Sequence, residues 1–433
     1  SFFGLGGTTY LSMLPQVLEF LEAKNYHIEL EDHRNTIALH FDQISEDFWG
    51  EKTWPKGHVA EGNPIRLRDY QVSIINKFFE NPQSLQSIST GAGKTIITAT
   101  MAKICEKYGR TITIVPNKSL VEQTLEDFVN VGLDVGVYYG DKKEIGKTHI
   151  ISTWQSLSIL DKKSKDDNTI LNLEEFLRDV KTVMVDEAHG VKAEVLKTIL
   201  TRNLANAPIR WGLTGTIPKE KIDQLNLTVA IGEVIHTVAA KDLQEQGVLS
   251  NCHIQILQTA EYREFKSYAE ELKFLVTDKD RINFIAKTCE KIITNGNTLI
   301  LVDRIETGKL LSELIENSVF ISGEVKTKDR KKEYKEVNFS DNKTIIATYG
   351  VAAVGINIVR LHNLVMLEPG KSFIRVIQSI GRGLRKGFDK DFVQVYDITS
   401  TCKFSKRHLT ARKKFYTEAN YAYTIRKINN LNN

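Results

Sequence analysis

The 433-residue sequence predicts an α/β protein with two tandem domains, each a parallel β-sheet with flanking helices. The first observation is length, because a chain of this size is too long for one ordinary hydrophobic core. The second is an alternation of short apolar, β-branched runs with amphipathic segments, which begins after residue 64 and restarts near residue 297. Such alternation is typical of parallel strands joined by crossover helices.

The same patterns divide the chain into four predicted segments: 1–62, 63–243, 244–400 and 401–433. In the first, MLPQVLEFLEAKNY has the apolar spacing of a helix, and HIELED and TIALHF resemble short strands, so we expect a small N-terminal α/β unit. WGEKTWPKGHVAEGNP, rich in Gly and Pro, is typical of a linker. The two middle segments hold the alternating runs, which are separated by a mostly helical stretch from about residue 241 to 295. The last is predicted to be a basic helical extension.

Composition excludes several classes of protein. With 41% hydrophobic and 26% charged residues, the chain is typical of a soluble globular protein, and no apolar run approaches the roughly 18 residues of a membrane span. The four cysteines lie far apart, without the spacing of zinc ligands, so we expect a reducing, cytoplasmic environment. From Cys402 onward, eight basic residues face one acid, which favours a polyanionic partner.

SISTGAGKT has the composition and context of a phosphate-binding loop, because it follows the apolar LQSI and precedes a helical segment. Glycines let backbone N–H groups surround phosphate oxygens at a helix N-terminus, while Lys94 reaches the terminal phosphates and Thr95 offers a hydroxyl to Mg²⁺. One departure is Ile88, at the position where the usual pattern begins with glycine. The predicted nucleotide contacts in this loop are Ser89, Thr90, Gly91, Ala92, Gly93, Lys94 and Thr95.

VMVDEAHG is an apolar strand that ends in two acids, Asp186 and Glu187. Asp186 could hold Mg²⁺ through water, and Glu187 could polarise an attacking water. Alone, such a pair of acids would be as typical of an ordinary protein surface as of a catalytic site. Since it lies about 90 residues after the phosphate loop, it indicates an ATPase site. Upstream, IRLRDYQ places Arg68 and Gln71 before the loop, and a Gln amide can both donate to and accept from an adenine edge.

Nine strings now form a larger pattern: LRDYQ, STGAGKT, VPNKSLVEQ, ISTWQSL, VDEAH, GLTGT, LILVD, IIATYGVAAVGIN and QSIGRGLRK. Their order and spacing over about residues 64 to 398 resemble the superfamily 2 helicases of the DEAH-box type. ISTWQSL, SGEVKTKDR and ATYGV make the chain most similar to the UvsW-type phage recombination helicases. The resemblance implies two RecA-like domains with ATP, accompanied by Mg²⁺, in the cleft between them.

The resemblance also implies roles for individual residues. His189, Thr214 and Thr216 would couple the nucleotide to domain movement. Loops at strand ends would contact the nucleic-acid backbone without reading sequence. The residues expected there are Pro116, Asn117, Lys118, Thr153 and Thr348, together with Gly355 of the Thr348 motif, which we also assign to the nucleotide site.

QSIGRGLRK contains three cations and no acid. On a helix, Gln378, Arg382 and Arg385 would lie on roughly one face. The ordinary interpretation is a solvated basic face. However, the phosphate loop has no arginine of its own, and the resemblance implies that Arg382 and Arg385 supply an arginine finger from the second domain, with Gln378 near ATP.

The segment from Cys402 mixes bases with Phe404, Phe415, Tyr416, Tyr421 and Tyr423. Bases and aromatic rings together can bind nucleic acid. Equally, an amphipathic helix could pack these rings on the second domain. We leave both interpretations open at this stage.

The sequence therefore predicts an ATP-dependent DNA helicase or translocase acting on branched DNA as a monomer, in the host cytoplasm if a phage encodes it. DNA and branches follow from the resemblance alone. One alternative is an RNA helicase or a restriction-type translocase. Another is a nucleotide-gated clamp that binds nucleic acid without turnover, although a clamp would not need a full hydrolytic set of residues.

Overall fold

The computed structural model describes residues 2–33, 37–56, 58, 60–166, 171–192, 194–261, 263–325, 327–353, 358, 360–372, 380–381 and 390–429. Two compact units are present. The first contains Ser1–Ile88 and Gly93–Val238, and the second contains Ser89–Ala92 and Ala239–Asn433. In the described residues, no helix is long and apolar enough to span a bilayer.

An eight-stranded sheet forms the centre of the first unit as described, in the order β4-β3-β5-β2-β6-β7-β1-β8. All neighbouring strands are parallel except the β3–β4 hairpin. The inner strands are buried on both faces, which explains their continuous β-branched runs. The strands are β1 (Gln83–Ile88), β2 (Arg110–Val115), β3 (Val135–Tyr139), β4 (Lys142–Lys143), β5 (His149–Thr153), β6 (Val180–Asp186), β7 (Ile209–Thr214) and β8 (Glu233–Val238).

Helices connect these strands. Several begin at a side-chain cap, as where Asn117 accepts a hydrogen bond from the backbone N–H of Leu120. The α-helices are α1 (Leu14–Ala23), α2 (Asp69–Glu80), α3 (Lys94–Cys105), α4 (Lys118–Asn130), α5 (Trp154–Asp166), α6 (Leu173–Leu177), α7 (Glu194–Thr198) and α8 (Lys221–Ala230). Short 3₁₀ segments are Leu11–Met13, Glu106–Tyr108 and Ala188–Lys192, and Ile199–Asn203 is a π-helical turn.

The predicted N-terminal strands are wrong. Helix α1 is present, but the described parts of HIELED and TIALHF form no strand. Instead, the chain lies extended against the first unit: the Phe41 ring stacks on Phe79 with centroids 4.8 Å apart, and the Ile44 N–H donates to Asn76 at 2.9 Å. These contacts hold Phe41 and Ile44 against the first unit without strand pairing, and the first 62 residues group with that unit.

A seven-stranded, all-parallel sheet forms the second unit as described, in the order β11-β12-β10-β13-β14-β9-β15. The stretch expected to be mostly helical does hold the helices Ala240–Glu245, Tyr268–Thr277 and Lys279–Ile293, but it also contains strand β9, which the sequence does not predict. It pairs with β14 along nine residues, so tertiary pairing decides its conformation. The strands are β9 (Asn251–Thr259), β10 (Thr298–Val302), β11 (Ser318–Ile321), β12 (Thr344–Thr348), β13 (Asn363–Leu367), β14 (Phe392–Ser400) and β15 (Tyr423–Ile428).

Helices of the second unit include two with side-chain caps: Ser267 accepts from the Glu270 N–H, and Asp278 accepts from the Arg281 N–H. The described α-helices with assigned bounds are α9 (Ala240–Glu245), α10 (Tyr268–Thr277), α11 (Lys279–Ile293), α12 (Ile305–Leu314), α13 (Thr327–Asn338), α14 (Tyr349–Ala353) and α15 (Lys403–Glu418).

The C-terminal segment is not the helical extension that the sequence predicts. After α15 the chain forms β15, which pairs in parallel with β9 and so completes the second sheet. Phe415, Tyr416 and Tyr421 are buried. For these three rings, the packing interpretation of the segment is therefore correct. Removing residues from Cys402 onward would delete a strand of the sheet as well as its surface cations.

Helix α15 is fastened to the sheet by a buried ion pair. The Arg412 guanidinium donates to both carboxylate oxygens of Asp397, at 2.8 and 2.9 Å, and to the Gly370 carbonyl at 2.6 Å. The Tyr416 hydroxyl donates to Asp397 as well, at 2.7 Å. Burial lowers the pKa of Arg412, but the charge of Asp397 outweighs this effect and raises the pKa above its ordinary value. Two hydrogen bonds therefore join the buried Arg412 guanidinium to the Asp397 carboxylate.

We predict that Arg412→Ala destabilises the second unit by about 3–5 kcal/mol, because the change leaves the Asp397 carboxylate buried without its partner. The matched control is Lys414→Ala, on the same helix. Its side chain is 76% exposed and lies 4.0 Å from Glu418, so its loss should cost about 0–1 kcal/mol. Urea unfolding followed by circular dichroism measures both. Equal losses in the two variants would contradict this account of the pair.

Candidate functional site

The predicted site residues of the first unit follow the carboxyl ends of five adjacent strands, β5-β2-β6-β7-β1. Parallel strands align these ends along one edge of the sheet, where α/β proteins place their binding loops. The phosphate loop follows β1, the acid pair ends β6, and the GLTGT threonines follow β7. The VPNKSL loop and Thr153 lie at the ends of β2 and β5. The sheet therefore gathers motifs that are distant in sequence.

The predicted phosphate loop connects β1 to α3. Gly91 and Gly93 have φ angles of +90° and +76°, a conformation that glycine adopts without strain. Within the loop, the Ala92 N–H donates to the Ser89 carbonyl at 3.3 Å, and Thr90 is largely buried. The unusual Ile88 is the last residue of β1 and is fully buried. Since the strand continues through that position, no glycine is needed there.

Gln71 explains why glycine is required at position 93. A Cβ built on Gly93 would lie 2.6 Å from Gln71 Nε2, closer than non-bonded atoms tolerate. Gln71 is held in place by its Oε1, which accepts a hydrogen bond from the Arg68 backbone N–H at 3.0 Å. Arg68 is the N-cap of α2. The structure therefore brings Arg68 and Gln71 beside the phosphate loop, as the sequence predicts.

Lys94 meets the acid pair of β6. Its Nζ lies 3.1 Å from Glu187 Oε1 and 3.9 Å from Asp186 Oδ1, and all three side chains are mostly buried. Glu187 has φ +52°, which is uncommon for a residue other than glycine, and its N–H donates to Asp186 Oδ1 at 2.8 Å. Strain of this kind is concentrated at functional sites. The cluster places a cation and two carboxylates at the N-terminus of α3.

His189 connects the acid pair to the next strand. Its Nδ1 lies 3.4 Å from Glu187 Oε2 and 3.0 Å from the Thr214 hydroxyl. Thr214 donates in turn to the Thr216 carbonyl at 3.0 Å. Because the Thr214 hydrogen is used in this bond, we assign the proton of the His189 contact to Nδ1. The Thr216 hydroxyl is buried and has no hydrogen-bond partner among the described residues, so it can still bond to a ligand or a moved element.

The predicted nucleic-acid loops are tied to each other. Gln155 Nε2 donates to the Pro116 carbonyl at 3.2 Å, which connects the loop after β5 to the loop after β2. Asn117 caps α4, and Lys118 is the first residue of that helix. The Thr153 hydroxyl bonds to the N–H and hydroxyl of Ser156 and is mostly buried. Thr153 thus shapes the loop, in addition to any contact with a ligand.

Sequence reasoning missed two neighbours of Lys118. The ammonium groups of Lys118 and Lys142 lie 5.6 and 5.8 Å from the centroid of the Tyr139 ring, close enough for cation–π interactions. Tyr139 and Lys142 are paired across the β3–β4 hairpin, so their side chains share one face. The YYGDKK string holds the signal, an aromatic residue and two lysines flanking a turn, but only strand pairing shows that it reaches Lys118.

In the second unit, Thr348 is the last residue of β12, at the carboxyl edge of that sheet. The other sequence-predicted residues of this unit, Gly355, Gln378, Arg382 and Arg385, lie outside the described residues. Their assigned roles stay predictions.

The described residues contain no cluster of three or more His, Cys, Asp or Glu side chains suited to a metal. In a nucleotide site, Mg²⁺ takes one or two protein oxygens, and phosphates and water complete its shell. The Asp186 carboxylate at the end of β6 and the Thr95 hydroxyl in the first turn of α3 are oxygen donors of the right kind. The residues present therefore fit this ion.

Comparison with known proteins agrees with this architecture. The family model described as the res subunit of type III restriction enzymes matches residues 64–219, and the helicase conserved C-terminal domain matches residues 280–387. The ATP-dependent DNA helicase uvsW of Enterobacteria phage T4 is 27% identical over 389 residues, covering 84% of this chain and 75% of that protein.

Two further relatives are more distant. The DNA 3'-5' helicase XPB of Kineococcus radiotolerans is 24% identical over 377 residues, which cover 83% of this chain and 64% of that protein. A putative helicase 22 of a Sulfolobus islandicus filamentous virus is 25% identical over 377 residues, covering 77% of this chain and 65% of that protein. The chain therefore spans slightly less than two thirds of the length of both relatives.

Solved structures match the fold at low sequence identity. A fragment of a putative HsdR subunit of a type I restriction enzyme from Vibrio vulnificus has a TM-score of 0.61 at 16% identity, over 89% of this chain and 71% of that one. Dbp5 of S. cerevisiae, bound to RNA and ADP BeF3, has a TM-score of 0.59 at 15% identity, over 84% of this chain and 90% of that one. The prediction of two RecA-like, parallel-sheet domains is confirmed.

The ordered motifs, the two parallel-sheet units and the two helicase domain matches lead to one conclusion: the chain belongs to the superfamily 2 helicases and is an ATP-dependent helicase.

Proposed function

We propose that this helicase acts on DNA and remodels branched intermediates, by branch migration, fork regression and unwinding, in recombination, replication and repair. The observation that supports this best is the shared edge of the first sheet. There, the acid pair that contacts Lys94 and the VPNKSL loop lie at the ends of the neighbouring strands β6 and β2. A nucleotide bound beside the acid pair would therefore lie next to a loop that can hold a nucleic-acid backbone. We further propose that it acts as a monomer and, if phage-encoded, in the host cytoplasm.

Hydrolysis would begin when ATP phosphates enter the loop between β1 and α3. Backbone N–H groups at the N-terminus of α3 would bind phosphate oxygens. Lys94 would turn from Glu187, 3.1 Å away, toward the terminal phosphates. Freed from this cation, the Glu187 carboxylate would orient the attacking water and accept its proton. Arg68 and Gln71 would contact the base, as their position beside the loop favours.

Thr95 and Asp186 would hold Mg²⁺ with the phosphates. The ion supplies neutralisation of the charge that develops on the phosphoryl oxygens. The protein's own contribution is to orient the Asp186 carboxylate. Its Oδ1 accepts a hydrogen bond from the Glu187 N–H at 2.8 Å, and the Lys94 ammonium is 3.9 Å away.

Arg382 and Arg385 would complete the site from the second domain, as arginine fingers on the phosphates, and Gln378 would contact ATP or the acid pair. The support for this step is the sequence: the phosphate loop itself has no arginine. An arginine finger can raise the rate of phosphoryl transfer by roughly 10³ to 10⁵. Loss of the γ-phosphate would then release the second domain.

His189, Thr214 and Thr216 would transmit this change within the first domain. The His189 imidazole contacts both Glu187 and Thr214, so movement of the carboxylate changes the bonding at the end of β7. The buried Thr216 hydroxyl has no hydrogen-bond partner among the described residues, so it would be able to bond to a group that moves toward the end of β7. Alternating grip by Pro116, Asn117, Lys118 and Thr153 in one domain, and by Thr348 and Gly355 in the other, would move the protein along a backbone.

DNA is favoured over RNA because the T4 and Kineococcus relatives are named DNA helicases. The finer subtype, DEAH-box and UvsW-like, has the DEAH string of residues 186–189 and the 27% identity to uvsW in its favour. A restriction-type DNA translocase is the second candidate, since the model matching residues 64–219 describes a restriction enzyme subunit. RNA helicase activity and a clamp without turnover have weaker support.

We predict that ATP hydrolysis is stimulated by DNA, more by a four-way junction than by a single strand, and least by RNA. The hydrolysis rate should be measured with each ligand at equal nucleotide concentration. If RNA stimulates hydrolysis more strongly than DNA does, the substrate is RNA and the proposal of a DNA substrate is wrong. If no nucleic acid changes the rate of ATP hydrolysis, the proposal that the protein is a nucleic-acid motor is wrong.

We also predict that Glu187→Gln lowers the rate of ATP hydrolysis by about 10²- to 10³-fold, because the amide cannot accept the proton of the attacking water. Binding of ATP should persist, since Lys94 loses only its resting partner. Glu194→Gln is the control: that residue is 78% exposed on α7, and hydrolysis should stay within about twofold of the parent. Near-parent turnover in Glu187→Gln would exclude the base assignment.

Arg382→Ala and Arg385→Ala should each suppress hydrolysis, at least one of them by about 10³-fold, because the transition-state charge loses its counter-charge. Affinity for ATP and DNA should change much less. Lys386→Ala, next in the sequence, serves as the matched control. If both arginine variants weaken DNA binding as strongly as hydrolysis, QSIGRGLRK is a nucleic-acid contact instead of an arginine finger.

A further inference from the structure

A basic and aromatic cluster lies at the start of α15, apart from the helicase motifs. Its members come from three separate stretches of the second unit: residue 268, residue 371 and residues 403–408. The Tyr268 ring is 4.5 Å from the His408 ring and 6.4 Å from the Phe404 ring, measured between centroids. We call this cluster the Phe404 patch, and it consists of Tyr268, Lys371, Lys403, Phe404, Arg407 and His408.

The Phe404 ring lies within cation–π distance of two cations. Lys403 Nζ is 5.8 Å from the centroid of this ring, and the guanidinium carbon of Arg407 is 5.9 Å from the same point. Both cationic side chains are exposed. Cation–π contact orients a cation without neutralising it. The ring therefore holds two positive groups in place while leaving their charge available.

Lys371, Lys403 and Arg407 form no ion pair within the part of the chain that the structure describes. The acid nearest the helix start, Glu271, is buried and already accepts hydrogen bonds from the Phe404 N–H, the Ser405 N–H and the Ser405 hydroxyl, at 2.9, 2.7 and 2.7 Å. Like charges at i and i+4, such as Lys403 and Arg407, destabilise a helix. Helix stability therefore does not explain the pair.

The electrostatic environment of His408 is consistent with a positive potential at the patch. Burial lowers the pKa of His408, and the charges of Arg412 and Lys371 lower it further. At neutral pH the imidazole is therefore uncharged, and the patch owes its charge to Lys371, Lys403 and Arg407. Among the described groups whose charges shift the pKa of His408, Glu271 is the one acid. Its carboxylate oxygens already cap α15.

The patch lies at the functional edge of the second sheet. Lys371 follows the carboxyl end of β13, and Lys403 begins three residues after the carboxyl end of β14. Thr348 ends β12 at the same edge. Loops at this edge are the usual position for ligand contacts in a parallel sheet.

We propose that the Phe404 patch binds the phosphate backbone of DNA, as a contact of the second domain outside the helicase motifs. This inference rests on the proposed function, since it requires DNA as the substrate. Exposed, unpaired cations fixed by aromatic rings match a chain of phosphates in charge. The rings Phe404 and Tyr268 mainly orient the cations, because ring contacts already occupy them.

The test compares two double variants on the same helix. Lys403→Ala with Arg407→Ala removes two patch cations. Lys413→Ala with Lys414→Ala removes the same charge two to three turns further along α15, where Lys414 lies near Glu418. Equilibrium affinity for a single-stranded DNA is measured by fluorescence anisotropy at several salt concentrations. The full chain is used, and thermal unfolding confirms that each variant is folded.

For the patch variant, we expect the negative slope of log affinity against log salt to become shallower by about 1.4, that is, by 0.7 for each lost phosphate contact. Affinity at low salt should fall roughly threefold to tenfold. Hydrolysis of ATP without DNA should be unchanged. Lys371→Ala, on a separate loop, should make the slope shallower by about 0.7 and so keeps the test valid if α15 is disturbed.

Equal slopes for the two double variants, with an unchanged slope for Lys371→Ala, would overturn the proposal that the Phe404 patch binds DNA. The proposed helicase function would remain intact. A parent protein that neither binds DNA nor responds to it would overturn both proposals. The two failures are therefore distinguishable.

Discussion

The structure depends on one constraint: parallel strands whose two faces are both buried. A parallel pair cannot be joined by a tight turn, so the chain crosses the sheet between parallel neighbours, mostly through helices. Every described strand except the antiparallel β4 then ends at the same edge of its sheet. In the first unit this edge receives the phosphate loop, the acid pair and the VPNKSL loop, which are separated by up to about 100 residues in sequence. The candidate site is thus a consequence of strand direction.

Buried charge is treated in two different ways. In the second unit, Arg412 is satisfied by Asp397, and Arg281 donates to Glu368 at 2.6 Å and to Glu261 at 3.1 Å. Burial raises the pKa of Glu368 to about 6 despite the charge of Arg281. These groups stabilise the fold. At the Lys94 cluster the cation lies 3.1 Å from Glu187 and 3.9 Å from Asp186. Because a lysine ammonium is a point charge on a flexible stem, it can exchange a carboxylate for a phosphate.

The alternation of apolar runs predicted the strands at the centre of each sheet correctly, because residues buried on both faces must be apolar wherever they pair. Prediction failed where residues distant in sequence decide whether a segment pairs as a β-strand. HIELED and TIALHF have strand composition, yet Phe41 packs on aromatic rings and no strand forms in their described residues. Tyr423–Ile428 lies in a segment predicted to be helical, yet it pairs with β9. Pairing partners are distant in sequence, so local composition does not reveal them.

The sequence by itself determined the motifs, their order and the residue types at the nucleotide site, because that chemistry requires particular side chains at particular spacings. Only the tertiary structure decided which similar residues differ in role. Arg407 and Arg412 lie on the same basic helix, yet Arg412 is buried on Asp397 and Arg407 is exposed beside Phe404. The physical reason is packing: a helix presents one face to the sheet, and which face that is depends on partners far along the chain.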